Sequence, residues 1–267
     1  MIIDAHLHLD DVMHTGFSKE KRLQLLLETM KKNKIDHAFV LADIPSDSKE
    51  KMFSNEELLK FIEPYKELHL VGKIPLDACQ NAAYLTQVRK QIDSGKIVGI
   101  KLYPGYERFY PYDPRYTNVY NICEEFDVPL MLHSGDVMEK GNLLYAQPLH
   151  IDELASRRPD LKIIICHMGN PWQLDTAAVT FKNENVYADM SGLFYKRLDS
   201  GMELFLKQKI EDFIHWNAKG SKLIFGSDWP ICDVGDTIKL ITNNPNLSKR
   251  DKEFIFHKNA KKLFRIK

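Results

Sequence analysis

The chain has 267 residues, with 37 basic and 37 acidic side chains and a pI near 7.1. That balance speaks against a partner held by phosphate neutralisation, so no nucleic-acid partner is expected. Hydrophobic residues at 44% and aromatics at 10% suit a single packed domain over residues 1–267 and exclude a mainly disordered chain.

A first strand is expected from Ile2 (IIDAHLH), then an amphipathic helix over Ser18–Lys34 with Leu23, Leu26, Leu27 and Met30 on one face. Strand two starts near Asp36 (DHAFVLAD) and precedes a short helix, Asn55–Pro64. Strand three (LHLVGKI, from Leu68) leads to a helix over Ala82–Ser94, and strand four (IVGIKLY, from Ile97) to one over Tyr116–Phe126. Strand five (VPLMLHS, from Val128) is followed by helix Ile151–Arg158, and strand six (LKIIICH, from Leu161) by helix Pro171–Asn183. Strand seven (NVYADMS, from Asn185) precedes helix Glu203–Lys219, and strand eight (SKLIFGSD, from Ser221) precedes a tail helix over Ser248–Phe264 with a serine N-cap. Most strands are apolar throughout, as in parallel sheets covered on both faces. Eight strand–helix units at a near-constant spacing of about 30 residues predict an α/β fold of the (β/α)8 TIM-barrel type. A doubly wound sheet shares that cadence, but strand one is not followed by a Gly-rich phosphate fingerprint.

No apolar run approaches the roughly 18 residues that cross a bilayer, so no membrane partner is expected. The opening Met-Ile-Ile-Asp-Ala-His lacks the basic and apolar stretches of a signal peptide. Cys79, Cys123, Cys166 and Cys232 are scattered, which fits reduced thiols and a cytoplasmic location.

In a barrel of this type, chemistry occurs at the C-terminal ends of the strands. Strand one ends in His6 and His8, strand four carries Lys101, strand five ends in His133, strand six in His167 and strand eight in Asp228. Alternate residues of a strand share a face, so His6 and His8 converge, and Asp4 has the same parity one layer below. Asp4 is therefore expected to orient a ligand histidine. Barrel closure brings Asp228 beside strand one. This nitrogen- and oxygen-rich set suits a divalent cation such as zinc, manganese, iron or nickel. A lone His-x-His is a weak signal; the conjunction of four histidines and an aspartate at strand ends is a strong one. Cys166 is expected to face away from His167 and to serve packing.

The ordered segments DAHLH, GIKLYP and PLMLHSG, then PLHIDELASRRPDLKIIICHMGNPW, VYADMSGLF and IFGSDWP, resemble the amidohydrolase superfamily, specifically its amidohydrolase-2 branch. That branch includes carboxymuconate-semialdehyde-type decarboxylases. The resemblance runs from residue 2 to about 265 and implies a metal at the barrel mouth, most often zinc, as one or two ions. In a one-metal layout the matching ligands are His6, His8, His133 and Asp228, with His167 acting on bound water. In a two-metal layout His6, His8 and Asp228 hold one ion, His133 and His167 the other, and a carboxylated Lys101 bridges them. A homodimer is also in keeping with the resemblance.

The leading expectation is a metal-dependent hydrolase of an amide, ester or lactone in a small organic substrate, with Asp228 or His167 moving the proton. The alternative is a metal-dependent decarboxylase of an unsaturated or aromatic carboxylic acid, in which Lys101, Arg108, Arg115 or Lys140 would meet the carboxylate. A deoxyribonuclease-like reading is weakened by Lys101, where such relatives carry glutamate, and a metal scaffold without chemistry is weakened by the full ligand set. Tyr103, Tyr106, Trp172, Phe194, Tyr195 and Trp229 follow strand ends and are candidates for an aromatic substrate wall, with Tyr103, Trp172 and Trp229 foremost. Asn170 and Ser134 are polar candidates.

Overall fold

The computed structural model describes residues 1–44, 52–137, 141–217 and 220–266. Among these, eight parallel strands follow one another in chain order around a single sheet. They are β1 Ile3–Leu7, β2 His37–Leu41, β3 Leu68–Lys73, β4 Ile97–Leu102, β5 Leu130–Leu132, β6 Ile163–Ile165, β7 Val186–Asp189 and β8 Leu223–Ile224. The ring is closed by backbone bonds between β1 and the segment after β8: Ala5 N–H to Phe225 O (2.9 Å), Asp228 N–H to His6 O (2.8 Å) and His8 N–H to Trp229 O (2.8 Å). The predicted barrel is therefore the observed fold.

The outer helices are α1 Lys19–Asn33, α2 Asn55–Ile62, α3 Ala82–Asp93, α4 Thr117–Phe126, α5 Leu149–Arg157, α6 Gln173–Lys182, α7 Ser200–Trp216 and α8 Val234–Thr242. Ser18 caps α1 by accepting from Lys21 N–H, and Ser54 and Glu57 form a capping box on α2. The α8 helix was not expected from the sequence. Asp233 starts it by accepting from Asp236 N–H, and Val234, Leu240 and Ile241 bury its inner face. The tail is α9 Lys249–Glu253, a π turn at Phe254–Lys258, and α10 Asn259–Phe264.

Two apolar layers result. The outer one lies between strands and helices. The inner one fills the lumen with Ile3, Ala5, Phe39, Leu41, Val71, Met131, Ile164, Cys166, Tyr187 and Ile224. Leu263 and Phe264 of α10 join this inner cluster from below, with the Phe264 ring 4.0 Å from that of Phe39. The far end of the barrel is thus plugged.

Two expectations about facing need correction. The β1–β2 register shifts between Asp4 and Leu7, where three steps along β1 match two along β2. This bulge breaks simple alternation. Ile3 and Ala5 lie in the lumen, and Asp4 instead accepts from the backbone N–H of Ser227 (2.9 Å) and of His6 (3.3 Å). Asp4 therefore anchors the β1–β8 seam and does not bond a histidine ring. Cys166 is the second case. It belongs to the lumen, continuing the alternation in which Ile164 faces in and Ile163 and Ile165 face out; the chain then turns through left-handed backbone at His167 (φ 60°) and Met168 (φ 50°), so His167 also reaches the cleft.

Candidate metal centre

Asp228 also has left-handed backbone (φ 61°), an uncommon state for a residue with a side chain. Its N–H is held by His6 O, so the turn after β8 delivers its carboxylate over the end of β1. There Asp228 Oδ1 lies 3.6 Å from His6 Nε2 and 3.3 Å from His8 Nε2. All three residues are buried, and His6 Nε2 and Asp228 Oδ1 have no hydrogen-bond partner. Unpaired buried polar atoms are costly. Donor atoms each about 2.1 Å from a shared tetrahedral ion lie about 3.4 Å apart, close to the spacings observed. The three atoms therefore fit a divalent cation.

The outward nitrogens are fixed by what lies behind them. His6 Nδ1 is 2.9 Å from Asp189 Oδ2, and a carboxylate can only accept, so Nδ1 carries the proton and Nε2 its lone pair. His167 Nδ1 lies 3.2 Å from the Ser191 carbonyl oxygen, which also only accepts, so His167 presents Nε2 as well. Ser191 Oγ ties the two rings together, at 3.0 Å from His6 Nδ1, 2.9 Å from His167 Nδ1 and 2.5 Å from Asp189 Oδ1. Asp189 Oδ1 further accepts from the N–H groups of His167 and Ser191, each at 3.0 Å. A second triad, His6–His167–Asp189, is close enough to hold a cation. Its facing atoms are already spent on these hydrogen bonds, so the first triad is the better metal site.

Electrostatics agree. Burial, with Lys101 adding to it, pushes the His6 imidazole down to about 3. Burial likewise lowers His167 and takes His133 well below the usual histidine range. Burial opposes ionisation of Asp228 and Asp189, yet neighbouring histidines outweigh it and hold both carboxyls well below the usual carboxylate range. His8 is the exception. Burial alone would lower it, but Asp43, 3.5 Å away, and Asp228 raise it. The arrangement thus offers ionised carboxylates and, at His6, a neutral imidazole, while a cation at the triad would have to displace the proton that Asp43 and Asp228 favour on His8.

The family model described as Amidohydrolase, that of the amidohydrolase-2 branch, matches residues 3–266. The chain belongs to this family. An uncharacterised TIM-barrel protein from Bordetella bronchiseptica shares 23% identity with this chain at a TM-score of 0.77, covering 99% of this chain and 98% of that one. A 5-carboxyvanillate decarboxylase from Novosphingobium aromaticivorans, complexed with manganese and 4-hydroxy-3-methoxy-5-nitrobenzoic acid, shares 14% at a TM-score of 0.69, with coverage of 100% and 96%. A probable 2-pyrone-4,6-dicarboxylic acid hydrolase from Acinetobacter baumannii, with citric acid bound, shares 16% at a TM-score of 0.70, covering 99% of each. At these identities the likeness is one of fold. Protein fluG of Emericella nidulans matches 83 residues at 26% identity, 31% of this chain and 10% of that protein, so the match spans about a tenth of that relative.

The other expected residues gather unevenly. His133 sits beside His167 (ring centroids 4.9 Å), but its Nε2–H is given to Asp136 O (2.9 Å), and it joins neither ligand triad. Lys101 is buried, donates to Cys166 Sγ (3.0 Å) and lies over the Tyr103 ring. Among the described residues it makes no ion pair with a carboxylate. A cleft of about 770 Å³, open solvent included, is lined by His8, Asp43, Lys101, Tyr103, Tyr106, His133, His167 and Asp228, among others. A second lobe shares Tyr106, His133, His167 and Asp228 and continues past Asn170, Leu193, Phe194 and Tyr195. Trp172 and Trp229 are off both walls: Trp172 precedes α6, and Trp229 packs against the outer apolar layer. Ser134 is buried and bonded to Ala146 O. Arg108 is exposed, Arg115 is bound to Asp113 (2.6 Å), and Lys140 lies outside the described residues. Asp189, Ser191 and Asp43 were missed from sequence. The signal available was an aspartate closing each of the apolar strands two and seven.

Because Asp189 orients His6, Asp189→Asn should weaken divalent-metal binding by roughly 10- to 100-fold while leaving the fold intact. Competition against a fluorescent chelator measures this, and unchanged affinity would remove Asp189 from the metal's support.

Proposed function

We propose that the protein is a divalent-metal-dependent decarboxylase of a small unsaturated or aromatic carboxylic acid. The observation carrying this reading is Lys101, a buried cation on the cleft wall without a carboxylate partner among the described residues, beside the His6–His8–Asp228 triad. A negatively charged substrate group is the natural complement. The names of the structural relatives support it: 5-carboxyvanillate and 2,6-dihydroxybenzoate decarboxylases recur among them. Manganese accompanies two such relatives, and the donor set here suits manganese or zinc.

His6, His8 and Asp228 would hold the cation. When bound, it supplies positive charge that draws in the substrate's oxygens and stabilises the negative charge left as carbon dioxide departs. Lys101 receives the carboxylate, and Tyr103 and Tyr106 flank the organic body. His167, with Nδ1 fixed to Ser191, offers Nε2 to the cleft. That nitrogen can take a proton from a substrate hydroxyl and return it to the carbon losing its carboxylate, so no water is consumed. The same free Nε2 favours the second reading, hydrolysis of a lactone or ester, in which it accepts the proton of attacking water; the dicarboxylic acid hydrolase relative is its analogue.

Manganese- or zinc-loaded protein should be offered hydroxybenzoate carboxylates and lactone carboxylates in 18O-water. Carbon dioxide release without 18O in the product is expected. 18O incorporated into a new carboxyl group, without carbon dioxide, would overturn decarboxylation in favour of hydrolysis. Lys101→Met should raise KM roughly 10- to 100-fold, the worth of a charge-assisted contact.

A further inference from the structure

Lys101 is in register with Met131 of β5, which is in register with Ile164 of β6. Cys166 lies two residues nearer the mouth than Ile164, and both face the lumen. The Lys101 side chain therefore runs mouthward across the lumen to set Nζ 3.0 Å from Cys166 Sγ. The same ammonium is 5.0 Å from the centre of the Tyr103 ring, within cation–π range. That ring is buried and fixed in turn, because the Tyr103 hydroxyl donates to Ala42 O (2.7 Å).

Both supports of the ammonium are neutral. Lys101 pulls the Cys166 thiol towards ionisation, but burial and the Asp189 carboxylate outweigh it and hold the thiol protonated. The sulfur lends a lone pair and no charge. Elsewhere lysines are matched by carboxylates, as Lys182 is by Asp152 (2.7 Å) and Lys207 by Glu203 (2.6 Å). A carboxylate beside Lys101 would neutralise it and compete for the N–H groups that an arriving anion needs. With no partner at all, the four-carbon stem would surrender its rotamer freedom at each binding event. A thiol avoids both costs: it fixes the stem, takes one N–H of three, and leaves the charge unspent. We propose that Cys166 is a positioning residue for anion recognition, holding Lys101 in place for the substrate's carboxylate without neutralising it. The inference rests on the reading of Lys101 as the carboxylate-binding cation and deepens it. It holds equally for a decarboxylase and for a hydrolase of an anionic substrate.

Calorimetric titration of the manganese-loaded full chain with benzoate, and with its uncharged counterpart benzamide, tests it. The parent protein should prefer benzoate. Cys166→Val roughly keeps the side-chain volume and removes the acceptor; it should raise the benzoate Kd about tenfold and leave that of benzamide within about twofold. Cys166→Ala should do the same, and decides the matter if the valine variant misfolds by circular dichroism. Cys166→Ser restores an acceptor and should return the benzoate Kd to within about threefold of the parent value. Lys101→Met separates this inference from the reading beneath it. If Lys101→Met loses the preference for benzoate while the valine and alanine variants keep it, Lys101 binds the carboxylate and Cys166 does not position it. If Lys101→Met binds benzoate as the parent does, or the parent shows no preference, the reading of Lys101 falls and takes the inference with it. Equal losses for benzoate and benzamide, or failure of the serine variant to restore binding, would reduce Cys166 to packing and overturn the proposal.

Discussion

The His6→Ala/His8→Ala variant is expected to lose its divalent cation, with metal content by elemental analysis falling from stoichiometric to background. The change removes both nitrogens that face Asp228 Oδ1, at 3.6 and 3.3 Å, so one carboxylate remains where three donors converged. Activity should fall at least about 10³-fold, since Lewis-acid stabilisation is worth several kcal/mol. A second readout avoids activity altogether. Manganese at a hundredfold excess over Kd should stabilise the parent protein by about 2.7 kcal/mol and leave the variant's melting curve unmoved. Losing His6 also strips Asp189 Oδ2 of its ring partner, so the double variant is destabilised in its own right. His8→Asn, which keeps the His6–Asp189 pair, should stay well folded and bind metal weakly. Stoichiometric metal in the double variant would move the site elsewhere, His133 and His167 being the nearest other histidines.

Gly192→Ala should be nearly as damaging although it deletes nothing. A methyl group at residue 192 would lie 2.6 Å from Asp228 Oδ2 and 2.7 Å from His167 Nδ1, inside contact distance of both. The backbone there also has φ 63°, which costs an alanine roughly 1–2 kcal/mol. The turn after β7 therefore has to be glycine for two reasons, conformation and space. Since displacements of about 1 Å can cost 10²-fold in rate, kcat/KM should drop about 100-fold, with weaker metal binding and a Tm lower by about 2 °C or more. Gly201→Ala is the control. Its new methyl group meets only Asp199 Oδ1, at 3.4 Å, in the first turn of α7, and should leave stability unchanged or slightly higher. If Gly192→Ala retained full activity, the crowding of His167 and Asp228 around that turn would be irrelevant to catalysis.

The barrel was legible because its strands are short β-branched runs between amphipathic helices, a pattern that local chemistry writes directly into sequence. His6, His8 and Asp228 were legible for a related reason: fold topology alone sends the ends of β1 and β8 to one place. What could not be read was anything depending on a departure from regular geometry. The bulge in β1 altered which residues of that strand share a face, so Asp4 was assigned to a histidine ring when it serves the backbone of Ser227. The left-handed turn at His167 re-aimed that histidine to the cleft, while Cys166 kept the lumen facing it shares with Ile164. Asp189 and Ser191 escaped because their importance lies in partners 183 and 185 residues away. Trp172 and Trp229 looked like cleft residues by position in the chain. Strand-end loops have room to turn a side chain either way, and neither tryptophan is among the residues lining the two cleft lobes.

The plug of Leu263 and Phe264 has a kinetic meaning. With the barrel floor filled, the described residues leave the mouth as the exchange route, and an organic product must retreat along the path its precursor took. An occupied chamber then blocks the next arrival. Product should therefore act as a competitive inhibitor, and turnover in a concentrated product pool should slow by traffic before it slows by chemistry.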